Sequence, residues 1–318
     1  MRVSVPGKAM LAGEYAVLLP GEPCLVAAVE KQLFVTATPS TQWEVRSEHA
    51  IWRGGAAPAE LTFAVAAAQA ASERFGSPPL ELRTEDHLHI DGQKLGLGGS
   101  AAVTVAVTRA VAGPGALSAD VWEVADRVHR ELQGGKGSGA DIAASMFGGI
   151  LRYTSQPRVA TPVKVHPDVR LLLVWTGSSA KTAPRLGLWE GFVATRPKDA
   201  SAFAANSRQA VTALEQGIER GDRDLIRGGI GQARAALNGL EPFLGAEIET
   251  EPLRLAAEVA WRAGAAGKLS GAGGGDCAIV LAVGVDEAER ASRALQGVGL
   301  KVFAVDWSHG GARAELDA

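Results

Sequence analysis

The 318-residue sequence predicts two α+β domains, and three observations carry that expectation. The length exceeds what one ordinary core encloses and suits two. Val- and Leu-rich runs of strand type are mixed with segments of helical period, without the strict strand–helix alternation of a doubly wound sheet. A polar stretch punctuated by prolines, Gln156 to Asp168, separates the halves, so the boundary is placed at 160/161, giving domains over 1–160 and 161–318.

Composition narrows the function classes. Apolar residues make up 47% of the chain, ample for packed interiors, and the net charge of −3 gives no electrostatic reason to expect nucleic acid or a membrane surface as partner. Cys24 and Cys277 lie far apart and fit neither a disulfide framework nor a metal-ligand pattern. The opening "MRVSVPGK" is too short in apolar residues for a signal peptide, and no apolar run approaches the ~18 residues of a membrane span. The expectation is a cytoplasmic globular protein; oligomeric state, a homodimer included, is left open.

The elements follow in order. "RVSVP" and "CLVAAVEKQLFVTAT" read as strands, Glu60 to Phe75 as a helix, and "LELRTEDHLHIDGQ" as short paired strands. Ala101 to Ala112 reads as a buried helix. Ser118 is the expected N-cap of the next one, in which Val121, Val124, Val128 and Leu132 recur at helical spacing. "ILRYT" and "VRLLLVWTG" are strands. Residues 185–238 are mostly helical, with breaks expected near Gly221 and Gly228–Gly229. Pro252 opens a further helix, "CAIVLAV" is a buried strand, and a helix from Asp286 precedes a last strand near "LKVFAVDW".

Three glycine clusters stand out: "GLGGSAA", "GGKGSGADIAASMFGG" and "SGAGGGD". Bare backbone N–H groups at a helix start attract anions, and glycine lets a phosphate approach without meeting a Cβ. Ser100 adds a hydroxyl able to ligate a metal that bridges phosphates. Gly96, Gly98 and Ala101 also fit the dinucleotide fingerprint G-x-G-x-x-A. That reading needs an acidic residue at a strand end, and Asp120 sits at a helix start instead. No Walker P-loop occurs. Asp141, just after "GSGA", is a candidate proton acceptor, orienting group or helix cap, and Lys8 sits in a Pro–Gly setting near the N-terminus.

The order of these pieces resembles the galactokinase–homoserine kinase–mevalonate kinase–phosphomevalonate kinase superfamily. The resemblance rests on "PGKAMLAGEYAVL", "KLGLGGSAAVTVAV" and "KLSGAGGGDCAIVL" and spans Pro6 to Val280. "HRELQGGKGSGADIAASMFGG" and "VWTGSSAKT" are similar to stretches of its phosphomevalonate kinase branch. Gly99 stands where that superfamily's second motif usually carries a first serine.

The resemblance implies an N-terminal ATP-binding domain like the second domain of ribosomal protein S5 and a C-terminal ferredoxin-like domain, with the site between them. The implied reaction moves the γ-phosphoryl of Mg²⁺-bound ATP to a small molecule, mevalonate 5-phosphate, with mevalonate as the alternative acceptor. By the same resemblance Lys8 and Asp141 are the catalytic candidates. Lys94, Gly96, Leu97, Gly98, Gly99, Ser100, Ala101 and Ala102 are the nucleotide-binding ones, with Ser100 also on the metal. Glu14, Tyr15, Ser138, Gly139, Thr176, Gly271, Ala272 and Gly273 are placed at the acceptor. Ser178, Lys181 and Arg185 are weaker acceptor candidates, Glu131 a weaker metal ligand, and His129–Arg130 a further source of positive charge.

Overall fold

The computed structural model describes residues 1–90, 92–178 and 182–315. The first half contains β1 (Arg2–Ala12), β2 (Pro23–Pro39), β3 (Glu44–Arg46), β4 (Ile51–Trp52), α1 (Thr62–Phe75), β5 (Leu80–Asp86), β6 (His89–Ile90), β7 (Gln93–Lys94), α2 (Gly99–Ala112), α3 (Ser118–Leu132), α4 (Ala140–Phe147), β8 (Ile150–Ser155) and β9 (Arg158–Val163). The second half contains β10 (Val169–Trp175), α5 (Thr182–Thr195), α6 (Pro197–Arg220), α7 (Arg223–Leu244), α8 (Glu251–Arg262), β11 (Ala266–Leu269), β12 (Cys277–Val283), α9 (Val285–Gly297), β13 (Lys301–Val305) and β14 (Arg313–Glu315).

The long strand β2 organises the first sheet. One of its edges takes β1 along most of its length, while the other takes β8 at the start and β5 at the end, all antiparallel. The antiparallel pairing of β1, β2 and β5 is not a dinucleotide-binding sheet, which removes the reading of Gly96, Gly98 and Ala101 as that fingerprint. β14 returns from the end of the chain to the free edge of β1. The second sheet is antiparallel in the order β11-β12-β10-β13.

Helix α2 lies against β1 and β2, and Ala101, Ala102, Val105 and Ala106 have no exposed surface. Its valines and threonines are mediocre helix formers, but propensity costs only a few tenths of a kcal/mol each. Burying one valine is worth about 1.5 kcal/mol or more. Packing therefore decides the conformation, and the alanines let the helix approach the sheet closely.

Three local expectations are corrected. Leu117, not Ser118, is the residue before α3, and the Ser118 hydroxyl accepts from Arg109 Nη2 at 3.0 Å instead of capping. Leu132 is 40% exposed, while His129, in step with Val121 and Ala125, takes the buried face. Gly228–Gly229 do not break α7. Gly229 is there for contact, since a Cβ on it would stand 2.7 Å from the Leu214 nitrogen of α6. Gly217 does the same for the Ile226 nitrogen.

Candidate active site

Lys8 is set by its strand. The β1–β2 register shifts between Pro6 and Gly7, and the Lys8 nitrogen then donates to Leu97 O at 2.9 Å. This pins β1 to the first glycine loop. The side chain runs along that loop: a Cβ on Gly98 would stand 2.8 Å from Lys8 Cγ. Its Nζ reaches the third loop, 4.0 Å from where a Cβ on Gly271 would be. One lysine side chain thus spans two glycine clusters, its carbons on the first and its ammonium towards the third.

Gly98 ends the first loop with φ of 79° and leads into α2, so a side chain there is excluded by both backbone and Lys8. Gly99 differs. A Cβ on it meets nothing nearer than 3.8 Å, the Asp86 carboxylate and Leu88. Gly96 has φ of 70° and lies against the Asp276 carboxyl group, 2.8 Å from its own absent Cβ. Asp276 is itself held at φ of 58°, an uncommon conformation for a residue with a side chain, by Thr176, which donates to Asp276 O at 2.7 Å.

Ser100 stands in the first turn of α2 and meets His129 of α3, Oγ to Nε2 3.1 Å. Gln133 Nε2 lies 3.3 Å from the same ring nitrogen and Asp141 Oδ2 lies 3.8 Å from it. Asp141 stands in the first turn of α4, where Oδ1 accepts from the Ile142 nitrogen at 3.0 Å. Gly139 precedes it with φ of 81°. Beneath that turn Tyr153 donates to Ser138 O at 2.8 Å, and Arg130 and Arg158 flank the buried Asp126 carboxylate.

The third loop closes the other side. Tyr15 donates to Ala272 O at 2.7 Å, and the Met10 nitrogen donates to Ser270 Oγ at 2.9 Å. Burial pushes the Tyr15 hydroxyl up to about 12, the nearby Arg185 charge opposing and Glu14 adding, so it is a donor throughout the neutral range. Glu14 pairs with the fully buried Lys268. Arg185 of α5 lies over Gly274 and donates to Glu247 O at 2.9 Å.

These pieces surround one cavity of about 600 Å³, lined among others by Lys8, Glu14, Gly98, Ser100, Asp141 and Gly271. Backbone donors at a helix start face an ammonium and a second glycine loop across it, an arrangement suited to phosphoryl groups.

The sequence pattern of the GHMP kinases N terminal domain matches residues 62–149, and that of the GHMP kinases C terminal matches 213–300. The chain is 32% identical over 335 aligned residues to the phosphomevalonate kinase of Streptomyces sp. (strain CL190), with 87% of this chain and 88% of that protein covered. The chain belongs to the GHMP kinase family. It is a kinase. It is also 29% identical to the mevalonate kinase of Aeropyrum pernix, over 99% of this chain and 98% of that one. Among solved structures it is similar to Streptococcus pneumoniae phosphomevalonate kinase in complex with phosphomevalonate and AMPPNP: TM-score 0.86, 21% identity, 96% and 99% of the two chains covered.

In this GHMP kinase, Lys8, Glu14, Tyr15, Gly96, Gly98, Gly99, Ser100, Ser138, Asp141, Gly271 and Ala272 line the cavity. Leu97, Ala101 and Ala102 are buried in the core behind the first loop. Thr176 stands behind Asp276, and Gly273 packs on Ile248 O. Glu131 points away, 63% exposed and 3.5 Å from Arg127. The Lys94 side chain and all of Lys181 lie outside the described residues. Two buried groups were not singled out from the sequence for the roles their positions suggest. His129 was legible from its four-residue spacing to Ala125 and Gln133. Lys268 was not, because its partner is 254 residues away.

Proposed function

We propose that this kinase transfers the ATP γ-phosphoryl to mevalonate 5-phosphate, giving mevalonate 5-diphosphate, as a cytoplasmic enzyme of isoprenoid precursor synthesis. The observation that carries the reading is Lys8 lying across both the first and the third glycine loops. A donor phosphate on one loop and an acceptor phosphate on the other would repel, and one ammonium between them lowers that barrier. The phosphomevalonate kinase relative supports the choice of acceptor.

An oxygen of the acceptor phosphate attacks the γ-phosphorus; the bond from that phosphorus to the β–γ bridging oxygen breaks, and ADP leaves with the electron pair. A phosphate monoester has its second pKa near ~6, so the attacking oxygen is already largely deprotonated at neutral pH. Little general-base work remains, and positioning and charge neutralisation dominate. Lys8 neutralises charge on the transferring group. The α2 amides after Gly98 hold the donor phosphates. Asp141 orients the acceptor.

Mg²⁺ prefers hard oxygen ligands. The Ser100 hydroxyl and the Asp141 carboxylate supply two, both within 4 Å of His129 Nε2 and both lining the cavity, so the residues fit that ion. When bound, it screens the polyphosphate charge.

We assign the first half as the S5-domain-2-like, ATP-binding domain and the second as ferredoxin-like, with the break moved from 160/161, which would divide β9, to the segment between β9 and β10. The βαββαβ order and the sheet sequence β13-β10-β12-β11 support the second assignment. β14 is then a strand returned to the first domain.

The test is ADP release with mevalonate 5-phosphate and with mevalonate as separate acceptors. The proposal requires the phosphate to be preferred by at least about tenfold in kcat/KM, a 1.4 kcal/mol difference. The reverse preference would make the chain a mevalonate kinase, a reading the Aeropyrum relative supports.

A further inference from the structure

Gln133 closes α3, its backbone nitrogen donating to His129 O and Arg130 O, both at 3.1 Å. Its side chain lines the cavity. The amide nitrogen stands 3.3 Å from His129 Nε2, the ring nitrogen that also meets Ser100 Oγ. An amide nitrogen only donates, so the ring nitrogen accepts from it. The amide oxygen occupies the point where a Cβ on Gly137 would stand. In that glycine cluster Gly134, Gly135 and Gly139 have positive φ, but Gly137 does not. Among the described residues, only the Gln133 amide comes within 4 Å of such a Cβ. Gly137 is therefore bare to admit Gln133, and its backbone does not require glycine.

Stability does not account for this fit. The amide is the far end of a flexible side chain and could swing clear of a methyl group. A neutral hydrogen bond of this kind contributes about 1 kcal/mol. What the amide does by its place is join two sides of the cavity. On one side His129 meets Ser100, in the first turn of the helix that takes the donor phosphates. On the other, Gly137 leads through Ser138, whose carbonyl accepts from Tyr153 at 2.8 Å, to Asp141 in the first turn of α4. The Gln133 side chain touches both.

We propose that Gln133 is a positioning residue: its amide, wedged between His129 and Gly137, sets the distance from Ser100 to the loop that carries Ser138 and Asp141. It thereby sets the distance between the donor phosphate and the acceptor that Asp141 orients. This rests on the kinase reading above, with the nucleotide at the first glycine loop, and holds for either acceptor. Gln133 acts through the loop, so its loss falls on the acceptor and on turnover and spares nucleotide binding.

The test is a double-mutant cycle of Gln133→Ala, Gly137→Ala and the two together. Each enzyme is measured by a thermal melt, by affinity for a non-hydrolysable ATP analogue and by steady-state ADP release. The acceptor is whichever of mevalonate 5-phosphate and mevalonate the wild type turns over faster, so the acceptor reading and this inference fail separately. Small displacements of reacting groups are costly, so each single variant is expected to lose at least about tenfold in kcat/KM for the acceptor. Nucleotide affinity is expected to stay within about threefold, with the melting temperature near wild type. Once the glutamine is gone a methyl on Gly137 meets open space, so Gly137→Ala in the Gln133→Ala background is expected to cost less than about threefold more. If Gly137→Ala costs the same factor with and without the glutamine, the inference is overturned. A Gln133→Ala enzyme whose nucleotide affinity falls as far as its acceptor kcat/KM would also overturn it, and that comparison decides the matter alone if Gly137→Ala fails to fold.

Discussion

Ser100 Oγ lies 3.1 Å from Nε2 of His129, a ring only 2% exposed that packs against Phe63 with centroids 5.3 Å apart. The same nitrogen is 3.8 Å from Asp141 Oδ2, so one buried ring holds the Ser100 hydroxyl and stands beside the Asp141 carboxylate. His129→Ala should free the first and unseat the packing behind the second. A misplacement of about 1 Å costs roughly 100-fold in rate. Steady-state kinetics should show kcat reduced by about that factor, with the melt shifted as for any large-to-small core change.

Asp141 carries a different expectation from the base of an alcohol kinase. Its side chain caps nothing beyond the next nitrogen, Ile142, so removing it leaves α4 intact. Asp141→Ala should lower kcat by about 100- to 1,000-fold, the size typical of a lost electrostatic group. Asp141→Asn should retain more activity than Asp141→Ala, with the pH–rate profile unshifted. A profile that loses its acid limb in Asp141→Asn would assign it the proton.

Neighbouring glycines should respond oppositely. Gly98 has φ of 79° with Lys8 where a Cβ would go, and Gly98→Ala should lower both nucleotide affinity and turnover by at least about tenfold, since backbone and side chain are displaced together. Gly99 has room, nothing being closer than 3.8 Å, and Gly99→Ser should fold and bind nucleotide at least as tightly as the parent. Equilibrium binding of a non-hydrolysable nucleotide separates the two.

Stability should fall at alkaline pH. Burial pushes Tyr15 up from its ordinary 10.0 to about 12 and Cys277 from 9.0 to about 12, and drives Cys24 and Tyr153 up as well. Above the ordinary values the unfolded chain sheds these protons while the folded chain keeps them. The folded state then binds more protons, and unfolding free energy declines as pH rises. Urea midpoints should be level below about pH 9 and fall between roughly pH 9 and 12. Tyr15→Phe should reduce the slope above pH 10.

Much of this was legible in sequence because it is local. Glycine spacing, the helix at Ala101–Ala112 and the strand "CAIVLAV" depend on neighbours in the chain. What was not legible depends on distance. Gly229 reads as a helix breaker until Leu214 of the facing helix is seen against it. Lys268 reads as a strand lysine until Glu14 is placed beside it. The strand at Arg313–Glu315 is too short to announce itself and exists because β1 offers an open edge. Leu132 shares the apolar spacing of Val121, Val124 and Val128, but it lies at the rim of the stripe and is 40% exposed, while the polar His129 faces inward.

The most direct measurement concerns Lys8, whose chain lies on Gly98 and whose Nζ reaches towards Gly271. Nucleotide affinity and single-turnover rate should be determined for Lys8→Met and Lys8→Arg beside the wild type. With one ammonium serving both loops, Lys8→Met should lower the rate of the chemical step by about 1,000-fold, the upper range for a lost electrostatic stabiliser, while nucleotide affinity changes by less than tenfold. Lys8→Arg should recover only part of it, since a planar guanidinium is broader than an ammonium and presents its charge differently. A Lys8→Met enzyme that turns over near the wild-type rate would contradict the account.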